Sequence, residues 1–248
     1  MKLAVVADIH GNVLALEAVL ADLKREAPDA VVNLGDCVSG PLWPEQTAAI
    51  LRETNWPTVR GNHDRVVAAG TIPPSNRTDS FTIERLSAES RSWLQDLPPV
   101  IRWTQDMLLC HGTPDDDLTY LCETISGDGM QLAEEAAIEE RLGTERAPIV
   151  CCGHTHIARL ITLSATDQTI LNPGSIGLPG YSDGTPSAHK AEAGSPHARY
   201  ATMERRRDGW RIDLKTVQYD WDKAAAEASR NGRPDWARPL RTGFYGPL

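Results

Sequence analysis

Seven histidines stand at positions 10, 63, 111, 154, 156, 189 and 197, and each of the first five follows a short apolar run. Asp8, Asp36 and Asn62 follow such runs as well. A short apolar run reads as a buried strand. Side chains just past the strands of an α/β sheet converge on one edge. Carboxylates and imidazoles gathered there point to a metal site, because bare charges packed together would repel.

The spacing is more specific than the count. Asp8-Ile9-His10 and His154-Thr155-His156 each hold two donors one residue apart, and alternate side chains at a strand end share a face. Gly35-Asp36 and Gly61-Asn62-His63-Asp64 each place a glycine ahead of the donors, which permits close backbone approach and unusual torsions. His111 is followed by Gly112. Taken singly, each pattern has an ordinary explanation: a surface Asp-x-His pair, a Gly-Asp turn or a hydrogen-bonded core histidine. Five of them in order, each after a strand, do not share one.

The elements that must position these residues alternate. Strands are expected at 3–7, 30–34 and 57–59, with helices between them, one capped by Asn12 and one over 44–51. That β-α-β-α-β order implies a parallel sheet. A loop is expected at 71–79, a helix over 82–97 stopped by Pro98-Pro99, a strand at 107–110 and an Ala/Glu-rich helix over 130–142. Strands follow at 149–152, 159–163 and 169–171, then a hairpin of 199–205 and 211–217 around Asp208-Gly209. Residues 182–198, rich in Gly, Ser, Ala, Pro and His, read as a mobile loop or insert. A helix over 221–230 and a short one opened by Pro234 close the chain. With no clean linker, residues 1–248 are expected to form a single domain.

Composition narrows the partners. The 248 residues carry 25 basic and 34 acidic side chains, a net charge of −9, which argues against long nucleic acids. A small phosphate substrate is still allowed, since a metal reverses the local sign. No membrane span is visible, and the apolar run Leu3 to Ala7 is too short for a signal-peptide core. Five cysteines without a Cys-x-x-Cys pair suggest reduced thiols and a cytoplasmic location. Cys37 and Cys110 flank donors but point the other way along a strand, so they are expected to pack in the core with Cys151 and Cys152.

Taken together, Asp8-x-His10, Gly35-Asp36, Gly61-Asn62-His63-Asp64, His111 and Gly153-His154-x-His156 resemble the calcineurin-like metallophosphoesterases. Asn172-Pro173-Gly174-Ser175, Leu97-Pro98 and Pro234-Asp235-Trp236 extend the likeness toward one small bacterial branch. The resemblance implies a four-layer α-β-β-α sandwich of two mixed sheets. It implies two divalent metals, one on Asp8, His10, Asp36 and His156, the other on Asp36, Asn62, His111 and His154, with Asp36 shared. The donor set, without thiolates, suits Mn, Fe, Zn, Co or Ni. By the same resemblance His63 stabilises the transferring phosphoryl group and protonates the leaving group, and Asp64 either orients His63 or caps the following helix.

Two departures mark the subfamily. Protein Ser/Thr phosphatases carry an Asp-Arg pair beginning three residues after the shared aspartate, where this chain has Ser39-Gly40. The small phosphodiesterase branch often has Pro-Arg where this chain has Pro179-Gly180, so a phosphate-binding arginine is missing. Arg60, Arg65 and Arg199 are candidates to replace it. The expected function is binuclear metal-dependent hydrolysis of small phosphodiesters. A phosphomonoesterase acting on nucleotides or phosphoproteins, a non-catalytic metal-binding scaffold and a nuclease for short oligonucleotides are the alternatives. The oligomeric state is not legible.

Overall fold

A computed structural model describes residues 1–73 and 75–246. In chain order the elements are β1 (Lys2–Val6), α1 (Val13–Glu26), β2 (Ala30–Asn33), α2 (Pro44–Thr54), α3 (Asn62–Ala69), α4 (Arg77–Ile83) and α5 (Ala88–Asp96). Then come β3 (Val100–Thr104), β4 (Met107–Cys110), β5 (Glu123–Ser126), β6 (Gly129–Leu132), α6 (Glu135–Leu142), β7 (Ile149–Cys151), β8 (Arg159–Thr162) and β9 (Thr169–Asn172). The chain closes with β10 (Gly180–Asp183), β11 (His189–Glu192), β12 (Ala198–Arg206), β13 (Gly209–Val217), α7 (Trp221–Arg230), a 3-10 turn at Pro234–Trp236 and α8 (Ala237–Thr242).

Two mixed sheets form. One has the order β13-β12-β1-β2, with β1 parallel to β2 and antiparallel to β12. The other has the order β3-β4-β7-β9-β8, parallel across β4, β7 and β9. Strand alternation sorts the core into layers. Leu3 and Val5 of β1 join Met107 and Leu109 of β4, Ile149 and Cys151 of β7 and Leu171 of β9 between the sheets. Ala4 and Val6 face the other way, onto Leu16 and Val19 of α1 and Leu94 of α5. Leu108, Val150 and Ile170 pack outward against Ile138 and Leu142 of α6. The result is an α-β-β-α sandwich of two mixed sheets. All five cysteines are buried and free in this packing.

Helix ends follow local chemistry. Asn12 accepts from the Ala15 amide at 3.2 Å and starts α1; Ala27, in the left-handed region, ends it. Pro44 opens α2 at a position where no amide is needed.

Several expected elements differ. Residues 57–59 make a single bridge, Thr58 with Asn33, because Pro57 removes a ladder donor. The helix expected over 82–97 is two: α4 ends near Ile83, and Ser87 caps α5 through the Ser90 amide at 3.1 Å. Of the loop expected at 71–79, Pro74 lies outside the described residues and Arg77 to Asp79 already belong to α4. The Ala/Glu-rich run begins later than expected, since residues 129–132 pair with β5 as β6. Residues 182–198 hold β11 and the end of β10, not an irregular loop. Alternation there was hidden by small residues, yet His189 and Ala191 point inward. Among the described residues no helix is long and apolar enough to cross a membrane.

Candidate metal centre and cleft

The loops after β1, β2, β4 and β7 bring the predicted donors together. Asp8, His10 and His156 form one buried group; Asp36, His111 and His154 form a second; within each, the donor atoms lie within 4.8 Å of one another. Asp36 stands between them, its Oδ2 3.2 Å from His111 Nε2 and 3.8 Å from His10 Nε2. Asn62, at the start of α3, puts its Oδ1 3.0 Å from His111 Nε2.

The backbone is bent sharply to achieve this. Asp8, His10, Asp36, His154 and His156 have φ of 55°, 49°, 52°, 70° and 61°. Side-chain-bearing residues rarely adopt that region, and strain of this kind gathers at functional sites. Gly61 has no alternative either, since a Cβ there would fall on Asp36 Oδ1.

Backbone carbonyls fix the imidazoles. A carbonyl only accepts, so Nδ1 of His10 donates to Ser39 O at 2.7 Å, that of His111 to Leu34 O at 2.7 Å and that of His156 to Leu178 O at 2.6 Å. Their Nε2 atoms are thereby turned toward the centre. His154 is reversed: its Nε2 donates to Leu118 O at 3.0 Å, so Nδ1 faces inward. Such outer hydrogen bonds set the tautomer of metal-binding histidines.

This arrangement tests the fit of a metal directly. Nε2 of His10 and Nε2 of His156 stand 3.0 Å apart. With both Nδ1 atoms committed as donors, two lone pairs confront one another. Burial, then the neighbouring His156, push the His10 pKa down to about 4. His111 is opposite: burial opposes its charge, but Asp36, Asp8 and the Leu34 carbonyl together raise it to about 10. Nitrogen lone pairs and carboxylates turned inward without thiolates are the donor set of borderline divalent metals, and the residues fit such ions.

His63 faces the same cleft but belongs to neither group. Its Nδ1 lies 2.8 Å from Asp79 Oδ1, and its amide donates to Asp36 Oδ1 at 3.0 Å. Burial disfavours its charge, but Asp36 and then Asp79 raise its pKa to about 9. Asp79, buried on α4, also accepts from Ser39 Oγ and from Asn76 Nδ2. Sequence reading missed Asp79, whose only signal was Asn76 as a cap before a short helix. Asp64 does not orient His63. Its carboxylate accepts from the amides of Asp36 at 2.8 Å, Cys37 at 2.9 Å and Gly61, the residue ahead of α3, at 3.0 Å.

The cleft above the donors has a volume of about 340 Å³. Neither Arg60 nor Arg199 lines it. Arg199 is buried and donates to the carbonyls of Ala193, Ser195 and His197; Arg60 faces a separate groove beside Asp115 and Asp117. Arg65 is taken by Asp117 at 2.7 Å. The arginine that does line the cleft is Arg233, ahead of the Pro234-Asp235-Trp236 segment. His189 and His197 also lie away from the cleft lining. His189 Nε2 accepts from the Tyr120 hydroxyl at 2.9 Å, and Tyr120 does line the cleft, as do Tyr181 and Tyr245. Trp236 packs with Leu42 and Leu178.

Carboxylates and imidazoles at the carboxyl ends of strands from two stacked mixed sheets define an α/β sandwich with two candidate metal sites. The particular family follows from comparison: residues 1–192 match the calcineurin-like phosphoesterase superfamily domain, and the chain belongs to that superfamily. It is 24% identical to the uncharacterized protein MJ0912 of Methanocaldococcus jannaschii over 94% of both chains. A crystal structure of a metallophosphoesterase from Sphaerobacter thermophilus superposes with a TM-score of 0.76 at 24% identity, covering 98% of this chain and 100% of that one. The hypothetical protein PH1004 of Pyrococcus horikoshii gives a TM-score of 0.76 at 20% identity over 98% of each chain. These two structures speak for the fold.

Proposed function

We propose that this protein is a two-metal hydrolase of phosphate esters, acting on phosphodiesters of small molecules. The observation that carries the reading is the pair of buried donor groups with Asp36 between them, at the floor of a cleft that His63 also faces. Asp8, His10 and His156 would hold one ion and Asn62, His111 and His154 the other, with Asp36 offered to both. When bound, such a pair supplies Lewis-acid charge for phosphoryl oxygens and acidifies water toward neutral pH.

The chain's own residues do the rest. Carbonyls of Leu34, Ser39 and Leu178 hold the imidazole lone pairs inward. His63, oriented by Asp79, donates a proton to the departing alkoxide oxygen. The inferred partner is a small ester, in keeping with the net charge of −9.

The test is turnover of bis-p-nitrophenyl phosphate against p-nitrophenyl phosphate, on protein stripped of metal and reloaded with Mn. The diester should be cleaved faster. Faster monoester cleavage would move the activity to a phosphomonoesterase, and no turnover of either with two ions bound would overturn the hydrolase reading for these ester classes.

A further inference from the structure

The donor groups make only the floor of the cleft. The outer half is walled by β10 and by the segment after α7, and its charges are unlike those of a phosphate-binding pocket. Arg233 is the one arginine or lysine among the described residues that line the cleft. Its Nε and Nη2 donate to the Asp235 carboxylate at 3.0 and 2.7 Å, and its Nη1 donates to Thr78 Oγ1 at 2.6 Å. Few guanidinium protons are left for a ligand. Asp183, exposed at the end of β10, adds a second carboxylate, whose Oδ1 accepts from the neutral Thr185 amide at 2.9 Å.

A side chain at position 180 would be crowded. A Cβ on Gly180 would stand 3.3 Å from Ala191 O, Gly243 O and Pro239 Cβ. Tyr181, Tyr120 and Trp236 line the same cleft as Asp183. A carboxylate next to aromatic faces attracts an ammonium group and repels an anion.

We propose that the outer cleft is a subsite for the alcohol portion of a phosphodiester and selects it by charge, with Asp183 as the discriminating residue. An ammonium-bearing alcohol is taken first, a neutral one next and an anionic one last. The proposal rests on the phosphoesterase reading of the floor, and the experiment separates the two.

Three p-nitrophenyl phosphodiesters keep the chemistry constant and vary only the second alcohol: choline, ethanol or glycolate. With Mn-loaded protein, kcat/KM for the choline ester should exceed that for the glycolate ester at least about tenfold. Asp183→Asn should shrink that ratio, and Asp183→Lys should reverse it. A wild-type ratio at or below one, or a ratio unmoved by both substitutions, overturns the proposal. In parallel, the methyl diesters of the same three alcohols are titrated calorimetrically into the Mn-loaded protein. Binding in the stated order without turnover of any p-nitrophenyl ester would keep the subsite and sink the hydrolase reading. Binding of none of them would sink the subsite.

Discussion

The contact between His63 Nδ1 and Asp79 Oδ1, 2.8 Å long, leaves Nε2 as the atom of His63 free to meet a leaving group. On the proposed reading, Asp79 would act through His63 as a positioning residue. The Asp79→Asn protein should lose about 10- to 100-fold in kcat on alkyl diesters, whose alkoxides need a proton. On p-nitrophenyl esters, which depart as stable anions, the loss should be about threefold or less. Equal losses on both would show that Asp79 serves the fold and not the proton. Asp36→Asn makes a different prediction. An amide shared by two donor groups supplies less charge, so elemental analysis should find fewer than two ions per chain; an unchanged two-ion content would refute the sharing. The metal-ligand candidates were legible because every motif but that of Asn62 stands directly after a strand. Asp79 was not, because it approaches His63 from a separate helix and no local spacing links positions 63 and 79.

Elements were legible where one face alone is buried and the cap is local, as in α1 with Asn12, and misread where tertiary pairing decides. Residues 129–132 have ordinary helical neighbours and become β6 only because β5 lies opposite. Tyr181 and Asp183 were hidden in the same way, in a segment whose small residues masked the strand alternation of β10 and β11. The C-terminal turn of α1 shows how elements are tied to each other. Glu26 accepts from Lys2 at 2.5 Å and from Lys215 at 2.8 Å, linking α1 to β1 and β13. Hydrogen bonds from Lys2 and then Lys215 lower its pKa to about 2 from an ordinary 4.5. A depressed acid stabilises the fold above its unfolded pKa and ceases to do so as pH falls through the folded one. Glu26→Gln should therefore cost about 1 kcal/mol at pH 7. The gap from wild type in urea unfolding should close between pH 4.5 and about 2. A gap that stayed constant over that range would assign the effect to packing instead.

At the scale of the molecule, each donor group draws on both sheets. Asp8 and His10 follow β1 while His156 follows β7; Asp36 follows β2 while His111 and His154 follow β4 and β7. An ion held by either group would pin the two sheets at one end, where the backbone is already forced to positive φ. Any ligand that binds only the folded state stabilises it by mass action, about 2.7 kcal/mol at a free concentration one hundred times its dissociation constant. For a chain of this size that corresponds to a rise in Tm of about 5 to 10 °C. Stripping the metal with a chelator should lower Tm by that order, and returning Mn should restore it in proportion to the logarithm of its concentration. Hydrogen exchange should locate the loss. Amides at the carboxyl ends of β1, β2, β4 and β7 should lose protection together on stripping, while the distant hairpin of β12 and β13 around Asp208-Gly209 should change little. If only one sheet responded, the ions would be held by that sheet's donors alone; if neither did, the lone pairs of His10 and His156 would be balanced by something other than a metal.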